Sequence, residues 1–388
     1  MIHTLRRFFI HTPSVSVAVV FLSMSMLFGS WIARIPEVQL ALGLSESRLG
    51  FALLGMSLGG MLGTSAAGIL LPRLGTAPGT LAGVLLLCLS YLTPAFAWST
   101  WSLMAALLLI GIATGFTNVA MNGLAANIER QEGIRILSTC HGMFSLGGML
   151  GAGLSGLTAS MGISLLAHMS GLVFTLVILQ IWLKPVLLSI PEVQAGSRRT
   201  TPWREAPASL YLLAFIGFCV MLAEGAIADW SAVYLSAELR SGPALAAMGF
   251  AGFSLAMALG RFSGDTLAQR IGAAQLVRMG IWLGSAGLLL AIIAPNAGLA
   301  LLGFTLAGAG FSTIVPILFS SAARVFPEHP GGGIAIIAAG GIVGFLIGPP
   351  FIGFLAEWVG LRWALAGVLL LCIVAALGSS AVGKSATS

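Results

Sequence analysis

Glu224 and Asp229 lie in "AEGAIADWSAVYL", residues 223–235, inside an apolar run that begins at Leu210. An ionisable side chain within a spanning helix is costly and normally faces a cavity or a partner. On a helix Glu224 falls about 21 Å into the run, and Asp229 about 7.5 Å further and some 140° round. The two acids therefore do not form a side-by-side pair. The chemistry that fits is proton loading and release at Glu224, with Asp229 near the outer end as half of a gate. Arg34 closes another apolar run at matching depth and is the expected gate partner. Thr114, Asn118 and Asn122 recur every four residues, so they share one helix face and offer hydrogen bonds to a polar solute. His141 adds an imidazole one to two turns into the next run. Trp31 completes the substrate-binding candidates. For each group the structural alternative is a helix–helix tie or, for Arg34, a snorkelling side chain.

The elements that must position these groups follow from composition. Of 388 residues, 58% are hydrophobic and 8% charged, and the mean hydropathy is +1.02. A soluble chain carries about 25% charged residues, so the solvent is a bilayer. The basic residues are scattered singly, which excludes a nucleic-acid face. The four cysteines, Cys88, Cys140, Cys219 and Cys372, fall in different apolar runs without zinc spacing. No metal or other cofactor is expected.

Runs of roughly 20 apolar residues occur at 14–34, 48–71, 77–97, 101–127, 136–160, 163–183, 209–235, 244–265, 274–294, 298–323, 332–355 and 363–381. The expected fold is all-α, with twelve transmembrane helices in two six-helix parallel repeats. With the N-terminus inside, fourteen Lys and Arg fall on the cytoplasmic side and Arg34, Arg48, Arg240 and Arg362 outside, as the positive-inside rule requires. Trp98, Trp101, Trp358 and Trp363 flank spans at the outer interface. The expected divisions are 1–184 and 209–388 as six-helix bundles, with 185–208, which holds Arg198, Arg199 and Arg204, as a cytoplasmic linker.

Sliding the chain by 197 residues places Gly55, Ser57, Leu62, Gly63, Arg73 and Gly75 on Gly252, Ser254, Leu259, Gly260, Arg270 and Gly272. It also places Gly147, Gly151 and Gly156 on Gly344, Gly348 and Gly353. A parallel repeat of this kind belongs to transporters whose halves rock about a central site.

With these residues in view, the chain resembles the major facilitator superfamily over nearly its whole length. "GILLPRLG" (68–75) and "DTLAQRIG" (265–272) resemble its signature loop, which implies an inner-face role for Arg73 and Arg270. The usual acid before the first Arg is Pro72 in one copy and Gln269 in the other. Arg261 and Asp265, four apart at the inner end of their span, are expected to pair with each other. "GSWIARIPEVQLALGLSESRLG" (29–50), "NVAMNGLAANIER" (118–130), "HGMFSLGGMLGAG" (141–153) and "EGAIADWSAVYL" (224–235) resemble the YbjJ-like bacterial branch, distantly similar to the fucose permease. In that permease the proton carboxylates lie on helices one and four. Here the first span holds no acid and the fourth offers Asn118, so a carrier would have moved to the seventh.

The expected function is secondary transport of a small polar solute across the inner membrane by alternating access, with protons as the candidate coupling ion. Both termini are expected in the cytoplasm and the chain is expected to be monomeric. The alternative is proton-driven efflux of amphipathic compounds, to which the many Met and Phe point. An intramembrane enzyme would need clustered acids or a nucleophile–base set, and a sensor an appended signalling domain. The sequence displays neither.

Overall fold

The computed structural model describes residues 8, 10–134, 136–192 and 206–379. Arg6, Arg7, Arg135, Arg198, Arg199, Arg204 and Lys384, seven of the fourteen basic residues expected on the cytoplasmic side, lie outside them.

In the first part of the chain the helices are α1 (Thr12–Ile32), α2 (Ile35–Ala41), α3 (Glu46–Leu74), α4 (Thr76–Ser90), α5 (Thr100–Glu132), α6 (Leu137–Ser160) and α7 (Leu165–Leu188). They are followed by α8 (Ala208–Ala237), α9 (Pro243–Ile271), α10 (Ala273–Ile293), α11 (Ala297–Phe311), α12 (Ile314–Val325), α13 (Pro330–Val359) and α14 (Leu361–Gly378). Apolar runs of this length close every backbone hydrogen bond internally, which lipid demands. Ser45, Ser164 and Asn296 accept a backbone N–H at the starts of α3, α7 and α11, and Ser99 and Ser102 form a capping box at α5. Gly75 and Gly272, 197 residues apart, end α3 and α9 with φ of 87° and 85°, a conformation that an L side chain resists.

Among the described residues, 11 helical segments are long and apolar enough to cross a membrane. The chain is an all-α, multi-spanning membrane protein. The remaining expected span, α6, is a helix of 24 residues, but its glycines, serines and threonines keep it out of that set. Several boundaries differ from the sequence reading; the third expected span, for one, ends as a helix at Ser90, ahead of a short 3-10 turn at Thr93–Phe96. The tenth expected span breaks at Ser312–Thr313, because Pro316 cannot donate the backbone bond that a continuous helix needs there. The sixth continues past Lys184 to Leu188 and takes Pro185 into its last turn, so the first residues expected in the linker are helical.

One large apolar core runs through the bundle. Ala67, Leu71 and Ala120, with Phe116 and Val119, form a small separate cluster between α3 and α5. Phe174, Trp182 and Leu377 face outward, as lipid-facing side chains do. The four cysteines are buried and free. We call the end of the bundle that carries Gly75 and Gly272 the inner end. The opposite, outer end carries Trp98, Trp101, Trp358 and Trp363, all strongly exposed. α1 packs on α6 and α7, α3 on α5, α8 on α13 and α14, and α11 on α9 and α10. The main contacts that join the earlier helices to the later ones are α3 with α13 and α6 with α9, with smaller ones of α2 on α8 and of α1 on α8 and α9.

Candidate functional site

A cavity of ≈ 490 Å³ lies where α1, α3, α5 and α6 face α8, α9 and α13. Glu224, Gly225, Ala228 and Asp229 line it from α8, Arg261 from α9, Thr114 and Asn118 from α5, and His141 and Ser145 from α6. Gly225 and Ala228 keep the α8 wall low between the two acids.

Glu224 and Arg261 are the charged centre. Glu224 Oε2 stands 4.0 Å from Arg261 Nη2, and Arg261 Nη1 donates to Ser145 Oγ at 2.7 Å. Glu224 Oε1 is buried and has no hydrogen-bond partner among the described residues. No hydrogen bond or ion pair holds Asp229 among the described residues. The His141 ring meets Phe21 edge-on, with centroids 5.3 Å apart. Asn118 is exposed towards the inner end and accepts from Asn122 Nδ2 at both its backbone oxygen (2.8 Å) and Oδ1 (2.9 Å). Asn122 is thus tied to Asn118 and stands outside the cavity lining. Met24, Met56, Met257, Phe28, Phe250 and Phe345 form much of the remaining wall, and Phe28 and Phe250 meet edge-on at 5.8 Å. Thioether and aromatic groups adapt to varied apolar shapes.

The structure separates the expected gate pair. Arg34 is 1% exposed and turns away from α8. Its Nε donates to Ser155 Oγ at 3.1 Å, Nη1 to Glu37 Oε2 at 2.5 Å and to the Ile163 carbonyl at 2.9 Å, and Nη2 to Thr158 Oγ1 at 3.1 Å. Four hydrogen bonds use most of what the fork can donate, leaving little for Asp229. Trp31, one turn earlier, is 1% exposed and packs in the core with its indole N–H unpartnered, not in the cavity wall.

The outer end is closed by other groups. A Cβ at Gly50 would strike the Pro349 carbonyl, and one at Gly353 the Glu46 carbonyl, so the backbones of α3 and α13 touch there. Above this crossing, Glu357 of α13 accepts from Ser45 Oγ (3.1 Å) and Ser47 N (3.2 Å) at the start of α3. The cavity opens the other way, past Met61, Thr64 and Asn118, all exposed.

Arg261, expected at the inner end of its span beside Asp265, lines the cavity instead. The cause is span length. α9 continues to Ile271, leaving Arg261 ten residues, about 15 Å, above the helix end. Asp265 lies in the same helix and its side chain is not among the described ones. Arg73 and Arg270 sit in the last turns of α3 and α9 at the inner end, exposed. Near Arg73, Glu192 after α7 accepts from Thr76 N, Thr76 Oγ1 (2.9 Å), Ala77 N (3.2 Å) and Asn127 Nδ2 (3.3 Å), and so caps α4. Sequence reasoning missed Ser145, Glu192 and Glu357, whose partners are 65 to 312 residues distant.

The family model described as Major Facilitator Superfamily matches residues 14–223 and 213–383. An uncharacterized MFS-type transporter of Yersinia pestis is 32% identical over 376 residues, 96% of this chain and 96% of that protein. Membrane protein MosC of Rhizobium meliloti is 30% identical over 364 residues, 94% of this chain and 88% of that one. Among solved structures, the D323A mutant of the nucleoside transporter NupG superposes with a TM-score of 0.71 at 13% identity, covering 95% of this chain and 99% of its own. A bacterial homolog of the human lysosomal transporter Spinster, inward-facing and occupied, superposes with a TM-score of 0.69 at 13% identity, covering 96% of each chain.

Proposed function

The chain belongs to the Major Facilitator Superfamily, and from that premise we propose that it is a proton-coupled secondary transporter of a small polar solute, with Glu224 as the coupling carboxyl. Family and fold place it with alternating-access transporters and not with enzymes. The observation that carries the proposal is the half-satisfied carboxyl in the cavity. One oxygen of Glu224 lies 4.0 Å from Arg261 and the other has no partner among the described residues. A proton on Glu224 weakens its hold on Arg261, and its loss restores the attraction. Arg261 also holds Ser145 on α6, so the exchange reaches a contact between the two parts of the chain. Thr114, Asn118, His141 and Ser145 supply hydrogen bonds for a polar solute, and Asp229, without a partner among the described residues, stands at the outer side of the same space.

We read the chain as two six-helix repeats with α6 as the twelfth span. Support comes from helix pairs that recur 197 residues on, α1–α6 with α8–α13 and α3–α5 with α9–α11. The basic-residue bias supports cytoplasmic termini in an inner membrane, so that the cavity faces inward. The four quoted stretches support the YbjJ-like branch. The Met and Phe wall favours a second reading, proton-driven efflux of amphipathic compounds.

The test begins with thermal stabilisation of the purified protein by sugars, organic acids, peptides and cationic drugs at two pH values, since a bound solute raises the melting temperature. The solute that stabilises is then assayed in proteoliposomes. Glu224→Gln keeps the shape and cannot titrate, so it should retain counterflow exchange and lose pH-driven accumulation. Full pH-driven accumulation by Glu224→Gln removes Glu224 from the coupling role. Stabilisation by cationic drugs alone turns the reading to efflux.

A further inference from the structure

We propose that this carrier opens and closes on one side. The α6–α9 contact acts as a standing seam, and the α3–α13 contact is the moving one. Glu357 is the latch at its outer end, and the solute reaches the cavity between the inner limbs of α3 and α13. This goes beyond the transport reading above and requires neither proton coupling nor a particular solute.

The repeat would make the two contacts alike. Gly50 and Gly353, at the α3–α13 crossing, fall 197 residues from Ala247 and Gly156, and a Cβ at Gly156 would strike Ala247. The outer crossing therefore occurs twice, once in each contact. Below it the two diverge. In the α6–α9 contact, Ser254 Oγ donates to the Ser145 carbonyl at 2.7 Å, Arg261 reaches Ser145 Oγ, and Gly142 lies against the Phe262 ring. That contact is closed from its outer end almost to its inner end. The α3–α13 contact ends its hydrogen bonding at Ser57 Oγ, which donates to the Phe345 carbonyl at 2.9 Å. One turn further, a Cβ at Gly60 would meet nothing within 4 Å. From there the inner limb of α3 packs on α5 in its own small cluster, apart from the main core. The inner limb of α13 packs on α8, where Gly340 and Gly344 meet the carbonyls of Ala214 and Phe218.

The cost of opening differs in the same sense. Parting α6 from α9 at the inner end strips Arg261 and two serines of partners in a largely dry place, where an unmade bond is expensive. Parting α3 from α13 at the outer end breaks the bonds of Glu357 to Ser45 and Ser47, which are exposed. Water replaces such bonds at little cost. The helix N-terminus that Glu357 caps favours its negative charge only while the helices touch. The latch is therefore weak enough to cycle and specific to the outer-closed arrangement.

Distances measured by pulsed electron paramagnetic resonance on the full chain in lipid nanodiscs test this. The native cysteines are buried, so spin labels go to introduced pairs at exposed positions, Leu70 with Ile334 for α3–α13 and Ser138 with Leu267 for α6–α9. No solute or gradient is applied, so a failed coupling assay leaves this result intact. In Glu357→Gln the share of molecules with the shorter Leu70–Ile334 distance should rise roughly three- to tenfold. Glu357→Lys, which sets a cation against the start of α3, should raise it further. The Ser138–Leu267 distance should stay within about 2 Å throughout. A Ser138–Leu267 distance that changes in step with the other overturns the proposal. So does a Leu70–Ile334 distribution that neither substitution alters.

Discussion

Replacing Arg34 separates a structural clamp from a gate. In Arg34→Ala the guanidinium and its four hydrogen bonds are lost from a site that is 1% exposed. Its partners fare unequally. Ser155 still donates to the Ser30 carbonyl, and Thr158 keeps the Leu154 carbonyl and His168. Glu37 is 43% exposed and turns to water. The Ile163 carbonyl belongs to an exposed turn residue and turns to water, so the loss is the net worth of a charge-assisted hydrogen bond, about 1.5–3 kcal/mol, and the emptied volume adds about 1–2 kcal/mol. The expected loss is roughly 3 kcal/mol. Unfolding entropy of about 2 cal/mol/K per residue converts that into a melting shift of roughly 4 °C for a chain of this length. The same geometry requires Arg34 and Asp229 to act independently. In a double-mutant cycle of Arg34→Ala and Asp229→Asn, scored by thermal unfolding in detergent, the coupling should lie within about 0.5 kcal/mol of zero. A coupling above about 1 kcal/mol would refute the assignment of Arg34 to α6 and the α6–α7 turn, and would restore Asp229 as its partner.

Two further outcomes follow from single contacts. Glu192→Ala removes the cap of α4, so stability should fall by about 1 kcal/mol and the Thr76 and Ala77 amides should exchange with deuterium faster, as read by mass spectrometry. Gln180→Leu should be neutral or stabilising within about 1 kcal/mol: Gln180 Oε1 is buried without a partner, and Ser23, which receives its amide, already donates to the Val19 carbonyl; a melting temperature several degrees lower would contradict this.

Much of the fold was legible because the bilayer demands long apolar runs, and eleven segments show them. α6 blurs that signal, since the glycines that bring its backbone against α1 and α9 also lower its hydropathy. The break at Ser312–Thr313 follows from Pro316 and was open to local reasoning. Glu224 and Asp229 stood out because charge is scarce, and both line the cavity. The partnerships were not legible. Arg34 and Asp229 matched in depth, but depth says nothing about the direction in which a long side chain turns. Arg261 was assigned to the inner end because the apolar run fades before the helix does. Ser145 looked like any small residue of a glycine-rich helix, and only the packing of α6 on α9 gives it two partners.

The capping of α4 by Glu192 bears on how the two parts of the chain are tethered. It fixes the chain at residue 192, so the covalent path to Ala208 is sixteen residues long. A path of that length spans at most about 55 Å, longer than the roughly 30 Å hydrocarbon thickness itself. A tether of that length only bounds how far the parts can separate. It keeps them at high mutual concentration, and the hydrogen-bonded seam sets their register. A chain cut within 193–205 and expressed as two pieces should then reassemble into the same carrier, with the stump at Glu192 still seated on α4.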